Sequence, residues 1–381
     1  MDSGTYTVDI VAIEERVEGV AVIHEEAIPR SRVVENPALV QEALQRLVDE
    51  YGVSSIVMSS GYGVGLKPAK EAEPWEINVA TFIHPGDEAR GLRILGLRRA
   101  MRLVAESGLP AWFTPGVVQL PTVPLHRKLD RIDLGTSDKL YTAVAAIWDA
   151  VENRGLAIDE VDIIVAEIGY AYTAALAVKA GVVVDGHGGT MSHRGYMGAG
   201  LWDAEVAYLA AWLEPRYSKE LLFRGGAAEL LEEEYPPPPP EEVAQRAEQG
   251  DERAEAVIDA LAEAAAKDIL ALTAVVKPRL IYLAGRWARI PLLRSRVAER
   301  ISHLLDAFDA EIVEVSATAR AKEAAFGAAL LANGLAGGRY SWIPERLRLK
   351  ETRGTTPLDW VRLAGLGERA VQQIRRRSQA L

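Results

Sequence analysis

Two short turns along the chain pair an acidic residue with a glycine. One is Asp2-Ser3-Gly4-Thr5, and the other is Glu167-Ile168-Gly169, with Thr173 on the strand that follows. In such a turn the glycine lets the backbone approach a phosphate, to which N–H groups and hydroxyls donate hydrogen bonds. The carboxylate suits Mg²⁺ that is held through water. We therefore predict that both turns bind phosphate and that Asp2 and Glu167 bind Mg²⁺; an ordinary surface turn is the alternative.

A denser glycine-rich segment follows the second turn. The sequence DGHGGT at 185–190 places Gly188, Gly189 and Thr190 where the backbone must bend sharply. Such a loop favours close approach to phosphate, so we predict that these three residues bind phosphate too; a flexible surface loop is the alternative. His187 and His193 lie in the same segment without evident partners at metal-ligand spacing, so we expect hydrogen-bonding or surface histidines.

A strand near the end of the second half also stops at a glycine. The apolar run 280–284 is followed by Gly285-Arg286. Ligands bind at the carboxyl ends of strands in doubly wound sheets, so this pair is predicted to border a nucleoside. A plain strand-to-helix turn is the alternative.

A second substrate would need its own residues between the two halves. We predict that Gly61-Tyr62-Gly63, Arg131 and the pair Asp138-Lys139 supply them. Asp138 begins a helix, where Asp is also a favoured N-cap residue, so helix capping is the alternative role for it.

These groups lie on elements that repeat along the chain. Apolar strands at 8–13 and 20–23 flank a turn at Glu18-Gly19, and strands at 173–178 and 182–184 flank a turn at Ala180-Gly181. Each half then continues to a strand that ends in glycine. This duplication predicts two similar α/β domains with a cleft between them.

The predicted boundaries follow composition. They are an N-terminal domain at 1–156, a C-terminal domain at 157–340 and a tail at 341–381 that is predicted to be helical. The proline-rich insertion 232–242 is predicted to be a surface loop, because five prolines lack backbone donors.

Composition excludes several classes of function. The chain has 381 residues, 49% of them hydrophobic and 25% charged, which suits two globular domains. Its net charge of −11 argues against a broad nucleic-acid surface. We expect no membrane span and no signal segment, hence a cytoplasmic protein. The absence of cysteine excludes disulfides and thiolate chemistry.

Several motifs together resemble a known superfamily over about residues 1–340. They are Asp2-x-Gly4-Thr5, Glu167-x-Gly169, the loop 185–190, Gly285-Arg286 and the small-residue helix 324–329. These motifs resemble the phosphate-1, phosphate-2, adenosine and connect-2 elements of acetate and sugar kinases, actin and heat-shock chaperones. Within that superfamily, segments 131–140 and 185–195 are similar to archaeal proteins labelled predicted butyrate kinases.

The resemblance implies a fold and an activity. The fold would be α/β, with two duplicated ribonuclease H-like (actin-like ATPase) domains around a nucleotide cleft. The activity would be phosphoryl transfer from ATP with Mg²⁺, with Asp138, Lys139 and Glu167 in catalytic roles. A complete strand is expected before the first phosphate turn, yet only Met1 precedes Asp2. Either that strand is shortened or the start of the chain is assigned too late.

The acceptor is left open by the sequence. A small carboxylate such as a short-chain fatty acid is favoured, which would give an acyl phosphate. A kinase of a sugar or other alcohol is one alternative, and a non-enzymatic ATP-gated regulatory or chaperone-like protein is another. An alcohol benefits from a general base such as Asp138, whereas a carboxylate arrives ionised and needs only positive charge, for example from Lys139, Arg131 or Arg286. A homodimer is a further possibility that the sequence does not decide.

Overall fold

Strands and helices alternate along the chain in two runs, and each run begins with antiparallel strands. The structure is a computed structural model that describes residues 1–89, 95–213, 217–316 and 322–379. The strands are β1 Asp2–Ser3, β2 Thr7–Arg16, β3 Gly19–Pro29, β4 Ile56–Met58, β5 Gly63–Pro68, β6 Ala111–Pro115, β7 Ile163–Ile168, β8 Thr173–Lys179, β9 Val182–His187, β10 Leu280–Ala284 and β11 Glu311–Val313.

Helices fill most of the remaining chain. They are α1 Arg30–Glu35, α2 Ala38–Tyr51, α3 Pro74–Thr81, α4 Pro85–Ala89, α5 Leu95–Glu106, α6 Leu125–Lys128, α7 Ser137–Glu152, α8 Ala204–Leu213, α9 Pro240–Glu248, α10 Glu252–Leu272, α11 Pro291–Phe308, α12 Glu323–Leu335, α13 Trp342–Arg346 and α14 Leu366–Gln379. Among the described residues, no helix is both long enough and apolar enough to cross a membrane.

The second half, residues 157–340, contains one continuous sheet. Its strand order is β11-β10-β7-β8-β9, with β7 parallel to β10 and antiparallel to β8. Alternate residues of β7 enter different cores: Ile164 and Ala166 belong to the core that includes α10, whereas Ile163 and Val165 belong to the core that includes α7. Helices therefore cover both faces, which explains why this strand is apolar throughout.

The first half, residues 1–156, divides its strands between two sheets. One has the order β1-β2-β3 and the other the order β4-β6-β5. They meet at Met1, whose amino group donates to the carbonyl of Val57 at 2.8 Å. The predicted hairpins of both halves are present, and the turn after β8 uses left-handed backbone at Ala180 and Gly181.

Helices α7 and α12 cross between the two sheet systems. They approach closely because Gly327 has no side chain: a Cβ there would strike the backbone carbonyl of Tyr141. The small-residue segment 324–329 is buried in this contact. The crossing therefore fixes the starts of both helices, and these starts carry site residues.

One sequence expectation about the second half needs correction. The proline-rich segment does not stay a loop to residue 242, because α9 begins at Pro240, in the first turn where proline is tolerated. The segment is also tied to the second half, since the carbonyls of Pro237 and Pro238 accept hydrogen bonds from Tyr170 and Tyr196.

The tail from 341 packs back against the first half and is only partly helical. The hydroxyl of Thr352 accepts a hydrogen bond from the backbone N–H of Leu66. The side chain of Gln119 donates to Thr355. Helix α14 forms the end of the tail, packs against α3 and is helical as expected.

Candidate active site

Glu167 lies at the carboxyl end of β7 and accepts hydrogen bonds with both carboxylate oxygens. Lys139 Nζ donates to Oε1 at 2.7 Å, and Thr142 Oγ1 donates to Oε2 at 2.7 Å. Lys139 Nζ also donates to Asp138 Oδ2 at 2.8 Å. The start of α7 is thereby joined to the second-half sheet. Asp138 is the second residue of this helix and Thr136 its N-cap, so the capping role for Asp138 is wrong.

Asp2 occupies the matching position in the first half. Its carboxylate is buried and accepts from Lys322 Nζ at 3.2 Å. Lys322 directly precedes α12. The N–H of Ser3 donates to Ser59 Oγ at 3.1 Å, which ties the turn to the end of β4. Gly4 is buried against the Lys322 ammonium, while Thr5 at the tip is exposed.

The two carboxylate–lysine groups act on each other electrostatically. Burial raises the pKa of Asp2 to about 6, and the nearby carboxylates of Asp138 and Glu167 add to this rise against the opposing charge of Lys322. Burial would raise the pKa of Asp138 too, but the ammonium of Lys139 outweighs it and holds the pKa below its ordinary value. The surrounding carboxylates likewise overcome burial and raise the pKa of Lys139 and of Lys322. The five groups therefore form one charged cluster from both halves.

Several buried polar atoms in this region have no hydrogen-bond partner among the described residues. They include Asp2 Oδ1, Thr173 Oγ1 and Arg30 Nη1. Burial lowers the pKa of Arg30 to about 10, although Asp2 and Asp138 act in the opposite direction. A buried polar atom without a partner is costly, so each one fits a ligand that offers it a hydrogen bond or an opposite charge. Asp2 fits a cation directly, whereas Glu167 has both oxygens engaged and fits one through water.

Gly285 lies beside Glu167 at the ends of adjacent parallel strands. Ala284 pairs with Glu167 across the sheet. The left-handed φ of 89° at Gly285, with the carbonyl of Ile168 against it, requires glycine. Gly285 therefore lies at the carboxyl edge of the sheet, while its contact with a nucleoside stays a prediction.

Arg286 joins the tips of the two hairpins. Its guanidinium lies 3.9 Å from the ring centroid of Tyr6 and pairs with Glu241 at 3.0 Å. The rings of Tyr6 and Tyr170, which follow the two acidic turns at Asp2 and Glu167, are 5.0 Å apart. The tips of the two halves therefore touch, with Gly169 immediately before Tyr170.

The glycine-rich loop meets the first half at Asp133. Both the N–H and the hydroxyl of Thr190 donate to Asp133 Oδ2 at 2.9 Å, and the N–H of Gly188 donates to the Asp133 carbonyl at 3.0 Å. Gly189 packs on the ring of Tyr172. This loop is thus held in place by protein contacts, in a position between the two halves.

The predicted second-substrate residues are only partly together. The carbonyl of Gly61 accepts from the N–H of Ser137 at 2.9 Å, which brings this loop to the start of α7. Burial and the charge of Asp133 raise the pKa of Tyr62, whose ring lies 4.7 Å from Lys219 Nζ. Gly63 instead packs against the backbone of Gly116.

Arg131 is the predicted residue that lies apart. Its side chain is exposed, and within the described ranges it forms no hydrogen bond or ion pair with the charged cluster. Four other residues were missed: Arg30, Asp133, Lys219 and Lys322. Two of them had a sequence signal. Asp133 lies within segment 131–140, which resembles the predicted butyrate kinases, and Lys322 lies just before the small-residue helix.

Comparisons with known proteins agree with this architecture. A family model described as "Protein of unknown function (DUF1464)" matches residues 1–363. No curated protein matches the sequence.

Solved structures share the fold at low sequence identity. An acetate kinase from Porphyromonas gingivalis has a TM-score of 0.54 and 15% identity, with 83% of this chain and 88% of that chain covered. A propionate kinase from Francisella tularensis has a TM-score of 0.54 and 14% identity, with 82% and 87% covered. An acetate kinase from Entamoeba histolytica has a TM-score of 0.51 and 10% identity, with 80% and 79% covered. The predicted actin-like ATPase fold is thereby confirmed.

Proposed function

The chain belongs to the DUF1464 family, and we propose that it is an ATP-dependent kinase that phosphorylates a small carboxylate, such as a short-chain fatty acid, to an acyl phosphate. One observation carries this proposal. Acidic residues at corresponding turns of the two halves, Asp2 and Glu167, belong to a single buried cluster with two lysines. Phosphoryl transfer needs such a place, where charge is neutralised and the reactants are positioned between two domains.

The turns around this cluster would hold the nucleotide. The proposed donors to phosphate are the hydroxyls of Ser3, Thr5 and Thr173 and the backbone N–H groups of Gly4 and Thr5. The unpartnered hydroxyl of Thr173 supports this assignment. The N–H groups of Ser3 and Gly169 already donate to Ser59 Oγ and to the Tyr172 carbonyl, so Gly169 would let the backbone approach the phosphate without donating to it. Gly285 and Arg286 would border the adenosine, and Gly188, Gly189 and Thr190 would face the transferred group from the other side of the cleft.

A magnesium ion would be held by Asp2 directly and by Glu167 through water. The unpartnered Asp2 Oδ1 supports this arrangement. When bound, Mg²⁺ would neutralise charge on the phosphates during transfer. Asp2 must be ionised for this role, and its raised pKa of about 6 means that binding weakens as the pH falls below neutrality.

The charges near Asp138 favour an acceptor that needs no general base. Asp138 is paired with Lys139 and its pKa is lowered, which makes it a weak base. A carboxylate acceptor arrives ionised, with a pKa of roughly 4. The free Nη1 of Arg30 would supply the positive charge that it requires. Similarity of 131–140 and 185–195 to the predicted butyrate kinases supports the same acceptor class.

The test compares two acceptor classes in the wild-type protein and in Asp138→Asn. Acyl phosphate is trapped as hydroxamate with short-chain acids, and ADP release is measured with sugars. We expect hydroxamate formation that survives the substitution. If ADP is released only with alcohols, and if this rate falls about 10²- to 10⁴-fold in Asp138→Asn, then the acceptor is an alcohol and not a carboxylate.

Nucleotide binding is measured separately by calorimetry, with and without Mg²⁺. Glu167→Gln should weaken Mg²⁺-dependent binding while a thermal melt shows a folded protein. If the wild-type protein binds no ATP in the presence of Mg²⁺, the kinase proposal fails for every acceptor.

A further inference from the structure

Two histidines and one aspartate meet outside the cluster just described. His187 is the last residue of β9, His193 lies in the segment that follows, and Asp268 projects from α10. His187 Nδ1 and Asp268 Oδ1 are 2.9 Å apart, and His193 Nδ1 is 2.8 Å from the same oxygen. One possible ligand atom from each residue lies within 4.8 Å of the others.

The environment of Asp268 is unusual for a buried carboxylate. The residue is fully buried. Its described partners are the two imidazoles and the backbone N–H of His193, at 3.3 Å from Oδ1 and 3.2 Å from Oδ2. No Lys or Arg pairs with it within the ranges that the structure describes. A buried negative charge is costly unless a cation compensates it, so the site lacks a fixed positive charge.

Access to the cluster comes from the histidine side. The side chains of His187 and His193 are 23% and 35% exposed, whereas that of Asp268 is 0% exposed. A small cation can therefore reach the ring nitrogens from solvent, and water can complete its coordination.

We propose that His187, His193 and Asp268 bind a divalent cation of the zinc class. Imidazole nitrogens with one carboxylate are a donor set that Zn²⁺ takes at bond lengths of about 2.0–2.2 Å. Tetrahedral ligands at those lengths are roughly 3.3 Å apart, so the distance from each Nδ1 to Asp268 Oδ1 must open by about half an ångström. Each ring proton must then lie on Nε2 to leave Nδ1 free. Mg²⁺ prefers oxygen ligands and does not suit this site.

The proposed metal site lies next to the glycine-rich loop, so a bound ion would affect the structure of that loop. His187 and His193 lie on either side of Gly188–Thr190, the loop that contacts Asp133 of the first half. A metal bound by both histidines would fix the two ends of that loop against α10. The site would therefore order the glycine-rich loop, whatever reaction the protein performs.

The test uses the untagged full-length protein after treatment with a chelator, without nucleotide or acceptor. Co²⁺ is titrated while its visible absorption is followed, and Zn²⁺ is then added in competition. We expect one Co²⁺ per chain with a band typical of nitrogen and oxygen ligands, displaced by one equivalent of Zn²⁺. Mg²⁺ should displace neither ion.

Variants locate the ion. His193→Gln and Asp268→Asn should each lower the affinity for Zn²⁺. The loss should exceed the roughly 10- to 100-fold that is expected when a residue only hydrogen-bonds to a metal ligand. His303→Gln is the matched control, because His303 is exposed on α11. The affinity of this variant for Zn²⁺ should equal that of the wild-type protein. If Asp268→Asn fails to fold, the comparison is made with His193→Gln alone, because this variant changes a half-buried residue.

Amide hydrogen exchange supplies the second measurement. Zn²⁺ should slow exchange at residues 187–193 in the wild-type protein and not in His193→Gln. The proposal is overturned if the wild-type protein binds no Co²⁺ or Zn²⁺, or if the variants at His193 and His303 bind equally. The cluster is then a hydrogen-bonded network alone. Neither result depends on the proposed kinase activity, because ATP is absent from the titration.

Discussion

The turns that carry Asp2 and Glu167 are alike, but the sheets behind them differ. In the second half, Glu167 lies on a six-residue strand and has paired neighbours on both sides, Ala174 in β8 and Ala284 in β10. In the first half, β1 has two residues, and Asp2 is paired only with Asp9 on β2. The described part of the chain places no strand pairing on its other side.

A cavity of about 250 Å³ marks the difference. It lies between β2 and β4, beside Met1, and is also lined by residues of α2 and α12. In the second half, the corresponding space between β8 and β10 is filled by β7. The cavity therefore lies where a longer β1 would run.

The comparison shows two ways to position the same acidic group. Backbone pairing holds Glu167, while Asp2 depends more on the side chain of Lys322 and on contacts from Met1 and Ser3 to β4. The charges differ as well. Lys139 compensates two carboxylates, whereas Lys322 forms an ion pair with one.

The largest expected effect comes from removing these lysines. Lys139→Met leaves Asp138 and Glu167 buried together without the lysine that pairs with both of them, and breaking a buried pair in this way costs about 3–5 kcal/mol. Lys322→Met should cost less, because Asp2, with its pKa of about 6, can take up a proton instead. Urea denaturation at pH 7 measures both losses. Equal losses, or a larger one for Lys322→Met, would contradict the comparison.

The next prediction concerns the cavity. Four apolar β-branched residues placed before Met1 should extend β1 antiparallel to β2, beside residues 11–14, and fill the space. Burying one such side chain stabilises the folded state by about 1.5–3 kcal/mol. Ordering the backbone of each added residue destabilises it by roughly 1–2 kcal/mol. We expect a net stabilisation of about 1–3 kcal/mol on that basis. A Gly-Ser extension of equal length is the control, and equal melting temperatures for the two would refute the prediction.

A smaller effect concerns Lys219, which crosses from the second half to the first. Its Nζ donates to the carbonyls of Thr81 and Phe82, at 2.7 and 2.9 Å. A neutral amine can make both bonds, and burial lowers the pKa of Lys219 to about 7. Above pH 7 the unfolded state therefore binds more protons than the folded state, and this lysine makes stability rise with pH.

Between pH 7 and 8.5 the rise from this group should be about 1–2 kcal/mol. Lys219→Met removes it, so the difference in unfolding free energy between the two proteins should change across that range. Parallel pH profiles for both proteins would show that Lys219 stays protonated in the folded state.

The sequence predicted most of the fold because its signals are local. Alternating apolar residues and glycine turns mark β2, β3, β8 and β9, and these hairpins are present. The duplicated acidic turns led to Asp2 and Glu167 for the same reason. What stayed hidden depends on distance along the chain: Lys322 contacts Asp2 across 320 residues.

Other partners were hidden for a related reason. Asp268 lies in a helix whose local pattern is that of a core-facing element, and its contact with His193 spans 75 residues. His187 and His193 do form hydrogen bonds, as expected, but the sequence did not identify Asp268 as their partner. Arg131 lies apart from the charged cluster because nearness to Asp138 in sequence does not decide which way an exposed side chain points.

The smallest expected effect is at the hairpin tips, where the two halves touch. Tyr6 is 44% exposed and contacts the ring of Tyr170 and the guanidinium of Arg286. Tyr6→Ala should therefore cost only about 0.5–1 kcal/mol. Tyr170→Ala should cost more, because that ring also packs on Tyr196 and its hydroxyl donates to Pro237. Thermal and urea denaturation of both variants test this order. A larger loss for Tyr6→Ala would mean that the first-half tip, despite its short strand, contributes more to closing the cleft than the second.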